Sequence, residues 1–308
     1  MVRAEYERLD LNERGRDVSS TPESEREYEA LPDEESRPKL DIRSIAKRVG
    51  MFVLALLILS AVFAPWLGLA DPYQGSMIKR LAAPGTPGHL LGTDEQGRDM
   101  LSRLIHGGRL TLFIGLMPVV LAFFIGGALG IIAGYVGGIT NTIIMRVVDV
   151  FFAFPSVLLA IAISGALGAG VLNSLVSLTI VFVPPVTRVA EAVTSGVRSL
   201  DYIDAARASG ANALTVIRVH VIGNVLSPIF VYATSLTSVC MILAAGLSFL
   251  GIGVRPPEPE WGLMLNTLRS AIYVNPWLAA LPGVMIFATS LCLNLLSDGL
   301  RSAMNVRD

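Results

Sequence analysis

The sequence is short of charge, cysteine and histidine, and each shortage excludes a class of protein. Asp, Glu, Lys and Arg make up 16% of its 308 residues, whereas soluble domains usually carry about 25%. The two cysteines make a disulfide framework improbable and have no zinc-ligand spacing. The three histidines are far apart along the chain. We therefore expect neither a disulfide-stapled soluble domain nor a metal centre.

The chain also lacks the short motifs of common catalytic and nucleotide-binding sites. It contains no Gly-x-x-x-x-Gly-Lys-Ser/Thr phosphate loop, no His-Glu-x-x-His zinc motif and no Gly-x-Ser-x-Gly nucleophile turn. We therefore expect that the chain is not an enzyme and has no cofactor of its own. A nucleic-acid partner is not expected either.

Long apolar runs are what the sequence has instead. Four stretches contain no Asp, Glu, Lys or Arg: residues 110–145, 150–187, 221–254 and 270–297. A membrane-spanning helix needs about 20 mostly apolar residues, so each stretch holds one or two. We predict an all-α, polytopic membrane protein with about six transmembrane helices. The predicted spans are residues 49–70, 110–135, 147–167, 172–189, 225–250 and 276–296.

The first 40 residues differ in composition from the remainder. Residues 1–40 hold 12 acidic and 7 basic side chains and few apolar ones, which is too little apolar surface for ordered packing. We expect a disordered, acidic cytoplasmic tail rather than a signal peptide, followed by a transmembrane domain of residues 41–308. Arg43, Lys47 and Arg48 precede the first span and favour a cytoplasmic N-terminus. Six spans would place both termini there.

Features inside the spans suggest a passive pathway built by close helix packing. The span interiors hold almost no ionisable side chains, which disfavours an ion-coupled carrier. Arg146 and Asp149, at the inner end of the third span, are expected to form a salt bridge or interface charges, with contact to a soluble partner or orientation of the loop as the alternative. Gly126, Gly127 and Gly130 are expected to be packing positions rather than hinges.

The segment before the second span is predicted to be a separate helix. In residues 94–109, Leu101, Leu104 and Ile105 follow helical spacing among charged residues. This pattern predicts an amphipathic helix that lies on the outer membrane surface.

The polar loop between the predicted fourth and fifth spans is predicted to form a helix, a turn and a helix. Asp201 can cap the first helix, and Asn212 can cap the second, which continues into the fifth span. Gly210 can end the first helix in a left-handed conformation. Ile203, Ala206 and Gly210 share one helix face, and its small residues would let a soluble partner approach closely.

At this loop the sequence resembles the permease subunits of bacterial ABC importers. Their inner loop carries Glu-Ala-Ala followed, after three residues, by Gly. Here the pattern is Asp204-Ala205-Ala206 with Gly210, so Asp replaces Glu, and Gly223 stands where the family often has Pro. The resemblance implies a cytoplasmic coupling helix between spans four and five that contacts ATPase subunits. The implied coupling residues are Asp201, Asp204, Ala205, Ala206, Gly210 and Asn212.

Four further segments narrow the resemblance to the second permease subunit of the dipeptide and oligopeptide importer group. They are residues 91–105, 134–149, 247–262 and 297–301. The resemblance implies a bacterial cytoplasmic (inner) membrane location and several partners. These are the lipid bilayer, a homologous permease, two ABC ATPase subunits that use ATP and Mg, and an extracytoplasmic solute-binding protein.

Two questions stay open at this point. The first concerns six candidate contacts for the binding protein, which could instead fold the outer segment on itself: Asp94, Arg98, Asp99, Glu258, Glu260 and Trp261. The second concerns the cargo, because the binding protein selects it. Peptides are the expected cargo, with nickel chelates, glutathione or another small solute as alternatives. An ion-coupled secondary carrier and a membrane enzyme are rivals of other classes.

Overall fold

The computed structural model describes the backbone of residues 42–305 and the side chains of residues 45–304. The predicted acidic tail of residues 1–40 therefore lies outside the described residues. Within the described part the chain is helical, with three isolated β-bridges and no strand. The predicted all-α class is confirmed.

Ten α-helices, α1 to α10, make up the described fold. In chain order they are Ile42–Val62, Met100–Val136, Gly138–Phe152, Ser156–Leu167, Val171–Arg198, Asp201–Ala208, Ala213–Val216, Ile222–Phe249, Trp261–Thr267 and Pro276–Asn305. A π-helical turn, Ile217–Val221, joins α7 to α8. Short 3₁₀ turns occur at Ala64–Trp66, Met77–Lys79 and Ser270–Tyr273.

The helices of the described residues include enough long apolar segments for a polytopic membrane protein. Five segments are long and apolar enough to span a bilayer: α1, α2, α5, α8 together with α7, and α10. Helices α3 and α4 meet at 89° and make a sixth span when counted as one. The third predicted span, residues 147–167, is therefore broken. Pro155 accounts for the break, because it lacks an N–H and disfavours helical backbone at Phe154.

Helices α2 and α5 pack together along most of their length. A Cβ placed at Gly126 would lie 2.7 Å from a backbone oxygen of α5, and one at Gly130 would collide with the Cβ of Ala190. At Gly127 the nearest atom, in Ile229, would be 4.0 Å away. Gly126 and Gly130 are thus close-packing positions of the small-residue kind common in membranes, whereas Gly127 has room for a side chain.

The predicted surface helix of residues 94–109 is wrong. Helix α2 begins at Met100 and runs for 37 residues without interruption. The carboxylate of Asp99 caps it by accepting a hydrogen bond from the N–H of Ser102 at 2.8 Å. Leu104 is buried against the protein. The helical spacing of Leu101, Leu104 and Ile105 is that of the first turns of a spanning helix, because these turns continue directly into the rest of α2.

Two polar regions lie at opposite ends of the helices. Residues 63–99, here called the cap, connect α1 to the start of α2. Residues 199–224, here called the loop end, follow α5. Arg198, at the end of α5, donates a hydrogen bond to the backbone oxygen of Gly134 near the far end of α2. The loop end is therefore remote from the cap.

Candidate functional site

The loop end has the helix–turn–helix form that the sequence predicts. Gly210 ends α6 with a φ of 86°, in the left-handed region that favours glycine. Its N–H donates to the backbone oxygen of Arg207 at 3.0 Å. Asn212 caps α7, because its side-chain oxygen accepts from the N–H of Thr215 at 2.8 Å. The predicted roles of Gly210 and Asn212 in the turn are confirmed.

Asp201 does not have the predicted capping role. It is the first residue inside α6, and Leu200 takes the cap position without a side-chain hydrogen bond. Asp201 and Asp204 nevertheless both lie in the first turn. Their negative charges lie at the N-terminal, positive end of the helix dipole, where they interact favourably. Both residues therefore stabilise α6 although neither caps it.

The predicted docking face of α6 points into the chain's own body. Ile203 is fully buried, and Ala206 is half-buried against the same core. The outward face instead carries Asp201, Asp204 and Ala205. The prediction that Ile203 receives a partner is wrong, because this buried side chain holds α6 on the bundle. Contact of the half-buried Ala206 with a partner stays a prediction. The turn residues Gly210 and Asn212 are exposed as well.

Arg207 links α6 to the end of α2. Its guanidinium carbon lies 5.2 Å from the centre of the ring of Tyr135, a buried residue in the last turn of α2, which is a cation–π distance. One guanidinium nitrogen also donates to Asp204 at 3.2 Å. Sequence reasoning did not identify Arg207. Its spacing from Asp204 is a recognisable helical pair, but nothing local indicated Tyr135.

Tyr202 links α6 to the start of α8. Its ring lies 6.1 Å from the ring of His220, in the π-helical turn. The side-chain nitrogen of Asn224 donates to the Tyr202 hydroxyl at 3.2 Å and to the backbone oxygen of His220 at 2.6 Å. π-Helical turns occur frequently at functional sites. Helix α6 is thus attached to two spanning helices, so a displacement of α6 can be passed to both.

A second charged group lies at the break between α3 and α4. Asp149 forms an ion pair with Arg188 of α5, and the Arg188 guanidinium lies 4.3 Å from the ring centre of Phe152. Both charged side chains are about half exposed. Asp149 therefore does form a salt bridge, but with Arg188, while Arg146 is exposed. The distance along the chain between Asp149 and Arg188 hid this pairing from sequence reasoning.

In the cap, a buried carboxylate organises the turn before α2. Asp94 accepts from the backbone N–H groups of Gln96 and Arg98 at 2.8 and 3.0 Å. Its other oxygen accepts from Nε of Arg98 at 2.7 Å and lies 3.3 Å from Nε of Arg103. The contact to Arg103 lacks hydrogen-bond geometry. All three charged side chains are buried, and the single Asp94 carboxylate is the shared counter-ion of both guanidinium groups.

Arg103 joins the cap to the segment that precedes α9. Its guanidinium donates to the backbone oxygen of Pro72 at 2.9 Å and to those of Pro257 and Glu258 at 3.4 Å. Sequence reasoning did not identify this residue either. Its position three residues into an apolar helix was a signal, because a buried cation needs partners.

Glu260 and Trp261 fix the same segment to α2. Glu260 caps α9 by accepting from the N–H groups of Gly262 and Leu263 at 2.9 and 2.8 Å. Trp261 donates from its ring nitrogen to the backbone oxygen of Leu104 at 2.8 Å. Burial raises the pKa of the Glu260 carboxyl, although its hydrogen bonds oppose this shift. Glu260 and Trp261 therefore hold α9 and the segment before it against the start of α2.

The six candidate contacts for a binding protein are therefore mostly inside the fold. Five of them are buried: Asp94, Arg98, Asp99, Glu260 and Trp261. Glu258 alone of the six is partly exposed, and its carboxylate accepts from the Tyr73 hydroxyl at 3.0 Å. For the five buried residues the structure agrees with the alternative expectation, that they fold the outer segment on itself. Contact of the set with another protein stays a prediction.

The three histidines occupy separate places. His89 lies 3.0 Å from Asp99, His106 contacts Ser102 one turn away, and His220 is at the loop end. Within the described residues, no three His, Cys, Asp or Glu side chains come together in a way that could hold a metal ion.

Comparison with known proteins places this arrangement in a family. Residues 126–306 match the family model described as binding-protein-dependent transport system inner membrane component. The matched range includes the loop end and the helices α3 to α10, with only the last residues of α2.

Relatives extend the similarity to most of the chain. The di/tripeptide transport system permease protein DppC of Pseudomonas aeruginosa is 41% identical, covering 83% of this chain and 86% of the relative. The glutathione transport system permease protein GsiD of Pectobacterium atrosepticum is also 41% identical, covering 85% and 86%. The dipeptide transport system permease protein DppC of Alkalihalophilus pseudofirmus is 38% identical, covering 93% and 94%.

Proposed function

Because the chain belongs to the family of binding-protein-dependent transport system inner membrane components, we propose that it is a channel-forming permease subunit that imports di- or oligopeptides. Its family and its spanning helices make it a multi-pass inner-membrane permease of the ABC importer type. The proposal adds its cargo, its partner subunits and its orientation.

The geometry of α6 is the observation that carries the proposal. Its outward face is acidic in the first turn, and its inward face is anchored by the buried Ile203. The contacts of Arg207 with Tyr135 and of Tyr202 with Asn224 connect it to α2 and α8. A short helix held in this way can receive a push from a soluble subunit and pass it to the membrane helices.

The partners are proposed because the sequence contains no phosphate-loop motif and because the family is described as binding-protein-dependent. Two ABC ATPase subunits would bind ATP and Mg, hydrolyse ATP and contact α6, and the loop end would then lie in the cytoplasm. An extracytoplasmic solute-binding protein would deliver cargo at the cap end. A homologous second permease would complete the pathway. Exposed apolar side chains on α3 and α4, such as Ile139 and Leu158, need such a subunit or lipid to cover them.

The proposed peptide cargo is supported by the names of relatives. Two of the three relatives described above are named for dipeptides or di/tripeptides, and one is named for glutathione. Glutathione is therefore the second candidate, since the glutathione permease is as similar to this chain as the first peptide permease is.

Uptake driven by purified components tests the proposal. The chain, co-expressed with a second permease and candidate ABC ATPase subunits from the same organism, is purified, reconstituted into liposomes and supplied with a candidate binding protein. We expect an ATPase to co-purify, and we expect labelled dipeptide to enter only when ATP and Mg reach that ATPase. Faster uptake of glutathione than of any peptide would show that glutathione, rather than a peptide, is the cargo. Uptake driven by an ion gradient without an ATPase would refute the importer mechanism.

A further inference from the structure

An apolar groove opens between spanning helices near the cap. It has a volume of about 380 Å³ and is formed by α1, α2, α8 and α10. Its walls are mainly aliphatic and aromatic, and they include Ile58, Val62, Leu112, Phe113, Leu116 and Met241. For comparison, an apolar cavity of roughly 150 Å³ holds benzene. The groove therefore has room for a substantial length of hydrocarbon chain.

A second cavity adjoins the groove on the side of the cap. Its volume is about 480 Å³, and its lining is more polar, with Tyr73, His106 and Glu258 among its residues. Arg109 and Phe113 line both cavities. The two cavities together therefore form one site, apolar along the spanning helices and polar toward the cap.

The polar part of the site contains one free charge of each sign. Within the described side chains, neither Arg109 nor Glu258 belongs to an ion pair. Arg109 is exposed at the start of the apolar part of α2. The Glu258 carboxylate lines the cavity and accepts a hydrogen bond from Tyr73, and it also lies near enough to the Arg103 guanidinium for the two charges to attract. A ligand that carries an anion and a cation close together would match both.

We propose that the two cavities bind one glycerophospholipid whose headgroup carries a phosphate and a primary ammonium group. An acyl chain fills the apolar groove, and the phosphate meets the guanidinium of Arg109 in a charge-assisted hydrogen bond. The ammonium donates to the carboxylate of Glu258. The polarity of the site changes in the same order as that of a bilayer lipid, from hydrocarbon to headgroup. This site is independent of the cargo and of the coupling role of α6.

The headgroup chemistry separates this lipid from others in the membrane. A choline headgroup has no N–H to donate to Glu258, and a glycerol headgroup has no positive charge. Both keep the phosphate that Arg109 would bind. Discrimination between headgroups should therefore depend on Glu258, whereas affinity for all of them should depend on Arg109.

Native mass spectrometry of the full-length chain in mild detergent tests the site. Phosphatidylethanolamine, phosphatidylcholine and phosphatidylglycerol with identical acyl chains are titrated separately. We expect phosphatidylethanolamine to bind about tenfold more tightly than the other two, since a hydrogen bond to a charged group contributes that much. Arg109→Gln should weaken binding of all three by a similar factor, and Glu258→Gln should remove the preference. Leu116→Trp should block the groove.

Matched variants separate the site from the general lipid coat. Arg255→Gln removes an exposed arginine that lines neither cavity, and Leu121→Trp adds an indole on α2 outside the groove. Both should bind lipid as the wild type does. Equal binding of the three lipids by the wild type, or unchanged binding in Arg109→Gln, would overturn the proposal. Efficient cross-linking of a Leu116→Cys variant to a second permease subunit would overturn it too, because a protein would then fill the groove.

Discussion

Two groups of acidic and basic side chains, one around Asp94 where the cap of this permease meets α2 and one on α6 at the loop end, are exposed very differently. Where the cap meets α2, Asp94 and Arg103 are 4% and 2% exposed and are held by several hydrogen bonds or ion contacts. At the loop end, the Asp204 side chain is 71% exposed, and its one ion pair is with its neighbour Arg207. The same residue types therefore serve different purposes at the two ends.

The difference follows from the cost of burying charge. A buried ion is tolerated only when partners replace the water it has lost, so the charges of Asp94, Arg98 and Arg103 are committed to holding that region together. Exposed ion pairs contribute little to stability, so the charges on α6 can exchange their present contacts for those of another protein. The cap is a rigid scaffold, and the loop end presents a surface to a partner.

Removing the Asp94 charge should give the largest difference between the two ends. Asp94→Asn would leave the buried guanidinium groups of Arg98 and Arg103 without their counter-ion. We expect the free energy of unfolding to fall by about 3–5 kcal/mol, measured by thermal unfolding of the purified chain. Asp201→Asn, on the exposed face of α6, is the matched control and should change it by less than about 0.5 kcal/mol. An equally stable Asp94→Asn protein would contradict the scaffold role of the cap.

Changing Gly210 should give the opposite result, a loss of function without loss of the fold. Gly210→Val places a branched side chain at a φ of 86°, where non-glycine residues are strained by about 1–2 kcal/mol. We expect the turn between α6 and α7 to change, peptide uptake to fall to background and less ATPase to co-purify. The amount of chain in the membrane should stay normal.

The control for Gly210 is a glycine a short distance along the chain. Gly223 is helical and has open space around its Cβ position, so Gly223→Ala should leave uptake unchanged. Normal uptake by Gly210→Val would remove the turn from the coupling mechanism.

A smaller effect should appear at Glu260, where the buried charge is a helix cap. Glu260→Gln removes one of two acceptors and should cost about 1–2 kcal/mol. Burial raises the pKa of the Glu260 carboxyl, so the folded chain takes up a proton more readily than the unfolded one. The free energy of unfolding of the wild type should therefore rise relative to that of the variant as the pH falls from 7 toward about 4.3, the ordinary pKa of Glu.

Thermal unfolding at pH 7.5 and pH 5 checks the prediction for Glu260. Trp261→Phe, which loses the neighbouring hydrogen bond to Leu104 but no titratable group, should be destabilised equally at both pH values. A wild-type advantage over Glu260→Gln that shrinks at pH 5 would show that the ionised carboxylate is the favoured form in the folded chain.

Sequence reasoning was most successful where one local rule determines the structure. The apolar runs predicted the spanning helices, and Gly210 and Asn212 predicted the turn at the loop end, because backbone freedom and capping act over a few residues. It failed where distant segments meet. The pairs Asp149 with Arg188 and Arg207 with Tyr135 depend on how the helices pack, which local spacing does not contain.

The same reason explains the two wrong assignments of helix faces. Residues 94–109 and the Ile203–Ala206 face both show an amphipathic pattern, which indicates that one side is covered but not by what. In each case the chain itself covers that side. The predicted surface helix is the start of α2, and Ile203 of the predicted docking face makes an internal contact.

The central claim is that the loop end presents its charge to a partner, while the group of Asp94, Arg98 and Arg103 where the cap meets α2 keeps its charge inside. Its most direct test is the Asp204→Arg variant, with thermal stability and co-purified ATPase measured on the same sample. We predict an unchanged unfolding temperature and loss of the ATPase, because the reversed charge faces outward. An ATPase retained at the wild-type level, or a large drop in unfolding temperature, would contradict the claim.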